Sequence, residues 1–246
     1  MRALVASLAL VLALPAAAQV TTVDYASLTG GEIVGFDDIA GGSAPGTNYD
    51  SVFVSNGVGF GDHFVGQTVS DVGGFDRLDG APSGSLSLVS GAAGRNLDVF
   101  VQGSSQVLAG IGSAGYPNFA GIGEGAFALI FSSDQSQFGF QLVGGDGGSA
   151  TVSFFARDGS LIGSIGVSGL ANSFYGFSRD GGARDIAGIS ISNNDLAGIA
   201  FDNLKHDVES NVPPPSAVPE PSTYALLLAG LATMGWSVRR RARGRP

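Results

Sequence analysis

Glycine is the feature of this sequence that most constrains its fold. The 246-residue chain contains 40 glycines and no cysteine. Between residues 19 and 208, glycine recurs too often for stable helices, and long stretches lack a 3.6-residue apolar period. Apolar side chains alternate instead in segments such as 127–131 and 138–142, which is typical of strands. We therefore predict one all-β domain over residues 19–208, with no disulfide to stabilise it.

The predicted strands are short, and turns rich in Gly, Asn or Asp separate them. They cover residues 32–36, 51–54, 63–69, 85–89, 97–102, 127–131, 138–142, 152–157, 160–167, 173–178, 186–192 and 198–204. Asp158-Gly159 is a dipeptide suited to a two-residue type I′ hairpin turn. Ten or more short strands at roughly regular spacing predict a two-sheet antiparallel β-sandwich of the jelly-roll type.

The first 18 residues have the order of a signal peptide. Arg2 precedes an apolar run over residues 3–14, and the small residues 16–18 follow Pro15. This order predicts export, with cleavage by signal peptidase between Ala18 and Gln19. The alternative is a buried N-terminal helix.

The C-terminal end has three parts after a proline-rich linker over residues 209–217. Pro219, Glu220 and Pro221 come first, then an apolar stretch over residues 224–238, and then an arginine-rich terminus. As a transmembrane helix, 15 residues would span about 22 Å, which is short for a hydrocarbon core of about 30 Å. The arginines predict a cytoplasmic C-terminus and an exported domain. A permanent single-pass anchor is the alternative to a temporary one.

Residues 218–246 resemble the PEP-CTERM sorting signal, because the Pro-Glu-Pro motif, the short apolar helix and the basic terminus stand in its order. The resemblance implies recognition and cleavage by an exosortase, a membrane protease of bacteria that make exopolysaccharide. It also implies a transient stay in the inner membrane, followed by the cell surface or extracellular matrix. Residues 131–204 resemble the jelly-roll lectin or carbohydrate-binding modules common among such proteins, in the segments FGFQL, ATVSFFARDGSLIGS, SFYGFS and GIAFDNL.

The charge of the predicted domain argues against nucleic acid as a partner. Setting aside Arg2, the five arginines of the tail and Glu220 leaves six basic and twenty acidic residues between residues 19 and 217, Glu209 of the linker included, a net charge of −14. Such a surface repels phosphate and favours cations. A structural Ca²⁺ ion is the cofactor hypothesis, with Asp37, Asp38 and Asp202 as tentative ligands, since hard oxygen ligands suit Ca²⁺. Solvated turn aspartates are the alternative.

Motifs of catalysis are weak in this chain. Gly110, Gly112 and Gly115 spell GxGxxG, but Tyr116-Pro117 follows where a phosphate-binding helix should begin, so we predict a glycine-rich loop. No GxSxG occurs, and the two histidines, His63 and His206, are predicted to be surface or satisfied strand residues. We therefore predict that the protein is not an enzyme.

The aromatic residues of the sequence give evidence both for and against sugar binding. Sugar sites usually offer exposed aromatic faces, but the sole tryptophan, Trp236, lies in the tail. The candidate platforms are Tyr25, Tyr49, Tyr116 and Tyr175. The leading hypothesis is thus a non-catalytic envelope or extracellular-matrix protein associated with exopolysaccharide. The alternatives are a Ca²⁺-assisted carbohydrate-binding module and, more distantly, an enzyme resembling a glycoside hydrolase.

Overall fold

The computed structural model describes residues 19–214 and is all-β. Three single-turn 3₁₀ helices, Tyr25–Ser27, Phe119–Gly121 and Asp180–Gly182, are the helical elements of this range. The strands are β1 (Val20–Val23), β2 (Glu32–Val34), β3 (Thr47–Tyr49), β4 (Phe53–Ser55), β5 (Val58–Gly61), β6 (His63–Phe64), β7 (Thr68–Val72), β8 (Phe75–Asp79), β9 (Leu88–Val89), β10 (Leu97–Gln102), β11 (Ser105–Gly110), β12 (Phe127–Gln135), β13 (Gln137–Gly144), β14 (Ser149–Phe155), β15 (Leu161–Ser168), β16 (Ser173–Arg179), β17 (Ile186–Asn193) and β18 (Ile199–His206). The predicted signal helix (1–18) and transmembrane helix (224–238) lie outside the described residues.

Two large antiparallel sheets contain most of the strands. The eight-stranded sheet has the order β1-β16-β13-β18-β11-β10-β3, with β2 also paired to β18. The six-stranded sheet has the order β15-β14-β17-β12-β5-β4. Two small ladders, β6 with β9 and β7 with β8, complete the pairing. The predicted all-β class with antiparallel sheets is confirmed.

The main apolar core is formed by residues of both large sheets. Phe127 of β12 meets Phe201 of β18 with ring centroids 4.9 Å apart, and Phe154 of β14 meets Phe177 of β16 at 5.3 Å. All four side chains are buried. Because alternate residues of each strand point inward, two facing sheets can bury one side each against the other. The domain is therefore sandwich-like.

Several predicted strands are confirmed, and the differences have local causes. The hairpin β14–β15 forms, but its turn is wider than the predicted two-residue turn. Residues 156–160 all lie outside the ladder of the two strands. The Asp158 carboxylate accepts hydrogen bonds from both the backbone N–H and the hydroxyl of Ser160, which stabilises the wider turn. The predicted strand 63–69 is divided into β6 and β7 by a turn in which the N–H of Gln67 bonds to the carbonyl of Phe64.

The first residues of the predicted linker are hydrogen-bonded to the domain. The Ser210 side chain is buried, and its hydroxyl donates to the carbonyl of Gly57 at 2.7 Å. The N–H of Val212 bonds to the same carbonyl at 2.9 Å. The described chain therefore remains attached to the six-stranded sheet through residue 212. The domain boundaries themselves stay a prediction.

Candidate functional site

The β7–β8 hairpin and the loop before β10 border a cleft with a volume of about 400 Å³. Its ionisable lining residues are Asp62, His63, Asp76 and Arg95. These side chains come from three separate parts of the sequence: the start of β6 with the residue before it, strand β8, and the loop that precedes β10. We refer to this as the acidic cleft.

Asp62 is held in the acidic cleft by its backbone and by a close glycine. Its N–H donates to the carbonyl of Val89 at 3.0 Å. Its carboxylate lies 2.6 Å from Nδ1 of His63. A Cβ atom at Gly91 would lie 2.8 to 3.0 Å from the Asp62 carboxyl group, so the loop approaches this carboxylate as closely as glycine allows.

Asp76 is the second acid of the cleft, and its environment raises its pKa. Its carboxylate pairs with the Arg95 guanidinium at 3.1 Å, and its N–H donates to the carbonyl of Glu124 at 3.1 Å. Burial raises the pKa of Asp76 to about 6, against the opposing attraction of Arg95, and the nearby Asp62 raises it further. A partly protonated acid beside a second carboxylate could donate or accept a proton near neutral pH.

Two more clefts lie between the hairpin and the six-stranded sheet. The first, about 210 Å³ in volume, has Val72 and Phe75 of the hairpin on one side. Its other side carries short polar residues of β14 and β17 and the turn that follows β17, namely Ser149, Thr151, Ser192, Asn193 and Asn194. The second, about 150 Å³, is also lined by hydroxyl groups, including those of Ser153, Ser164 and Ser190. Together these two clefts form what we call the hydroxyl groove.

The three aspartates predicted as Ca²⁺ ligands have different surroundings. Asp37 and Asp202 both border Gly35, and the charge of Asp37 adds to burial in raising the pKa of Asp202. Asp38 instead accepts hydrogen bonds from the Ser55 hydroxyl and the Asn56 backbone.

Within residues 19–214, no group of three or more His, Asp or Glu side chains is arranged to hold a metal ion. Asp202 is further occupied by the Ser105 hydroxyl, at 2.8 Å, and by the backbone N–H of Asn203. Asp37 and Asp202 thus lie near each other, Asp38 has separate partners, and Ca²⁺ binding at the three aspartates stays a prediction.

The tyrosines considered as sugar platforms have structural contacts. The hydroxyls of Tyr25, Tyr49 and Tyr116 donate to the backbone carbonyls of Asn203, Ala40 and Gly46, respectively. Tyr175 packs on the buried Phe140 with ring centroids 5.5 Å apart. None of the four lines the clefts described above.

The structure also shows where the two histidines and the GxGxxG segment lie. His63 lines the acidic cleft, whereas His206 is buried, and burial lowers its pKa. Gly110 ends β11, and Gly112 and Gly115 lie in the loop that follows it, so the GxGxxG segment is a loop and precedes no α-helix in the described range.

The sequence analysis did not predict Asp62, Asp76 and Arg95 as functional residues. Their sequence signal was weak, since the three residues lie in separate segments and match no spacing motif.

The predicted processing residues lie largely beyond the described range. Ala18 and the motif Pro219, Glu220 and Pro221 are outside it, whereas Gln19 lies beside Asp180, whose backbone N–H donates to the Gln19 carbonyl at 2.9 Å. Among the described residues, none forms a helix of the length and hydrophobicity needed to cross a membrane.

Comparison with known proteins supports the C-terminal prediction. The family model of the PEP-CTERM protein-sorting motif matches residues 217–241. Searches of curated proteins and of solved structures returned no match.

The match confirms the resemblance of the C-terminal segment to the PEP-CTERM sorting signal, and this motif indicates a protein that is exported and directed to an exosortase. In particular, the chain is one in which this motif follows a β-sandwich-like domain.

Proposed function

We propose that this protein is a non-catalytic component of the cell surface or extracellular matrix that associates with exopolysaccharide after exosortase processing. The observation that carries the proposal is the sorting motif at residues 217–241, which follows an all-β domain. In this account the signal peptide is removed after residue 18, and the apolar segment 224–238 holds the chain in the inner membrane until an exosortase cleaves it. The domain would have the jelly-roll architecture of carbohydrate-binding modules.

The hydroxyl groove is the surface on which we place the polysaccharide. Its short polar side chains offer hydrogen-bond donors and acceptors, and Phe75 and Val72 offer an apolar wall. A groove that combines apolar contacts with a few directed polar groups suits a sugar chain. Because residues 19–217 carry a net charge of −14, a neutral polysaccharide is favoured over an anionic one.

A Ca²⁺-assisted carbohydrate-binding module is the second candidate. The proximity of Asp37 to Asp202 favours it, because the two carboxylates repel each other and a cation would relieve that repulsion. An enzyme resembling a glycoside hydrolase is the third. Asp62 and Asp76 favour it as two carboxylates in one cleft. However, both acids are buried and already engaged by His63 and Arg95.

A binding experiment tests the association. Purified protein is applied to a glycan array and to exopolysaccharide from the producing cells, and Thr151→Lys is compared with Thr22→Lys. Thr151 is exposed in the hydroxyl groove, whereas Thr22 is exposed on β1 at the edge of the other sheet. We expect binding by the wild type and by Thr22→Lys, and loss of binding by Thr151→Lys. Absence of binding by the wild type would remove the polysaccharide from the account.

The same preparations distinguish the enzymatic candidate. Release of reducing ends from the polysaccharide by the wild type, with loss of release in Asp76→Asn, would replace the non-catalytic proposal by a glycosidase. Unchanged polysaccharide after long incubation is the result that the proposal expects.

A further inference from the structure

One long edge strand of the six-stranded sheet lacks the features that usually prevent strands of different molecules from pairing. β15 forms a ladder with β14 and pairs with no other strand of residues 19–214. Its eight residues contain no charge and no proline. A free strand edge presents unpaired N–H and C=O groups, and natural proteins commonly protect such an edge with charged side chains, proline, bulges or a covering segment.

The other edges of the two large sheets are short. β1 and β3 end the eight-stranded sheet and have four and three residues, and β4 ends the six-stranded sheet opposite β15 with three residues. Shortness protects an edge, because a short strand offers few backbone groups to a partner. The ladder of β15 is irregular only at its start, so residues 163–168 form a regular edge. A strand of that length extends about 20 Å.

The side chains of this regular edge alternate between the two faces of the sheet. Its odd-numbered residues, Gly163, Ile165 and Val167, stand opposite buried residues of β14. Directly opposed residues project to the same face. These three therefore point toward the core, and the even-numbered residues 164–168 point outward, where all of them are exposed.

No strand of residues 19–214 covers the free side of β15. A Cβ atom at Gly163 or at Gly166 would meet no atom within 4 Å beyond its chain neighbours. β1 of the opposing sheet lies near β15, but it contributes Val20 to the core between the sheets and forms no ladder with β15. The backbone groups on the free side of β15 are thus available to a partner.

The side chains of this edge are complementary to a second copy of the same strand. A two-fold axis at Ile165 relates two such strands in antiparallel orientation. On the inner face it places Gly163 of each copy opposite Val167 of the other, and on the outer face it places Ser164 opposite Gly166. Each larger side chain therefore meets a glycine with open space beside it, and opposed side chains lie close enough to fill such a space.

We propose that two copies of this protein associate edge to edge through β15, in an antiparallel register centred on Ile165. The same strand contributes from both copies, so the interface is isologous. No charged residue lies in the paired segment, so the register opposes no like charges even though the whole domain is acidic. A single pair of strands is small beside a standard interface of about 1,600 Å², so the association is weak.

The pairing has a consequence for the hydroxyl groove, and this consequence rests on the proposed function, whereas the pairing itself does not. Ser164 lines the groove, so the groove reaches the free edge of the sheet. The two-fold axis is perpendicular to the sheet, which keeps the outer faces of both copies on one side. One polysaccharide chain can then contact both grooves, and two linked sites bind more tightly than one.

Sedimentation velocity of the purified full-length chain in detergent, without polysaccharide, tests the association. Wild type, Gly166→Lys, Gly166→Ala and Thr22→Lys are compared from about 10 µM to about 1 mM, the range of weak dimers. Gly166→Lys should stay monomeric, because it brings like charges together at the paired edge. The other three proteins should dimerise as concentration rises, since Thr22→Lys places the same charge on β1 of the other sheet.

Two further measurements support the interpretation of these variants. Thermal unfolding should show that Gly166→Lys is folded, because open space surrounds the new side chain. A higher ionic strength should strengthen dimerisation of the wild type, because salt screens the repulsion between two acidic domains.

Introduced cysteines test the register. The chain has no cysteine of its own, so a disulfide forms only between introduced residues. Ser164→Cys and Gly166→Cys are oxidised alone and as a mixture in which the two variants carry different tags. Opposed residues of antiparallel strands lie within disulfide range, so the mixed disulfide should form faster than either homodimer. Thr22→Cys gives the background rate of an exposed cysteine away from β15.

Four results would overturn the proposal. The first is a wild type that stays monomeric up to the highest concentration. The second is a Gly166→Lys variant that dimerises like the wild type, and the third is a loss of dimerisation in Thr22→Lys as well. The fourth is a mixed disulfide that forms no faster than the Thr22→Cys background. A protein that dimerises through β15 but binds no polysaccharide would support this inference and contradict the proposed function.

Discussion

Phe154 of β14 and Phe177 of β16 face each other between the two large sheets, with ring centroids 5.3 Å apart and an interplanar angle of 59°. Each belongs to a different sheet, and both are fully buried in the main core. The contact therefore depends on the two sheets being packed against each other.

Replacing one of these rings should destabilise the whole domain. We expect Phe154→Ala to lower the free energy of unfolding by about 3 to 5 kcal/mol, because it leaves a cavity between the sheets. Phe174→Ala is the matched control, since Phe174 is about half exposed on β16, and should cost less than about 1 kcal/mol. Urea denaturation measures both, and equal effects would contradict the sandwich packing.

The close approach of Gly91 to Asp62 predicts a position where alanine is not tolerated. A Cβ atom at Gly91 must displace a buried carboxylate, so Gly91→Ala should cost about 1 to 3 kcal/mol. Gly166→Ala on β15 has open space around the new methyl group and should be neutral or slightly stabilising. Melting temperatures of the two variants measure the difference. A harmless alanine at position 91 would mean that the acidic cleft is more open than described.

Asp195 connects two loops at the ends of the sheets. Its buried carboxylate accepts hydrogen bonds from the backbone N–H groups of Asp146, Gly148 and Ala197, at 2.7 to 3.0 Å. Asp195→Ala leaves these donors unsatisfied and should cost about 2 to 4 kcal/mol. Asp146→Ala removes an exposed carboxylate from the same loop and should cost less than about 0.5 kcal/mol. Denaturation curves that do not separate the two variants would refute this role of Asp195.

The pKa of Asp76 predicts how stability depends on pH. Burial raises this pKa from its ordinary value near 4 to about 6, so the folded domain keeps a proton that the unfolded chain releases. The contribution of Asp76 is fully present below about pH 4 and is lost as pH rises through about 6. Asp76→Asn should flatten the dependence of the unfolding free energy on pH between about pH 4 and about pH 6. Urea denaturation at a series of pH values, with chelator and at constant ionic strength, measures this dependence. In Arg95→Gln the loss of an attracting charge should move the window to higher pH. If the pH dependence of the unfolding free energy were unchanged in both variants, Asp76 would not be buried beside Arg95 as described.

The sequence was sufficient for the all-β class and for several strands, because alternation is a local property of the chain. It was not sufficient for β1, β3, β5, β8 and β11, which are short or contain many small and polar residues. Of these, β8 and β11 form tight hairpins with the preceding strand, whereas β1 pairs with β16, far along the chain. The acidic cleft was not predicted because Asp62, Asp76 and Arg95 come from separate segments that meet only in the folded domain. Asp98 is an acid within the strand Leu97–Gln102, and its complete burial depends on chain segments that pack over it only in the folded domain.

The most direct test of the account is mass spectrometry of the mature chain ends, combined with cell fractionation. The wild type is compared with a variant in which Pro219, Glu220 and Pro221 are all alanine. The account predicts that wild-type protein begins at Gln19, ends near the sorting motif and lies at the surface or in the matrix, whereas the variant keeps its tail and stays in the membrane. Identical C-termini and identical location in both would contradict it.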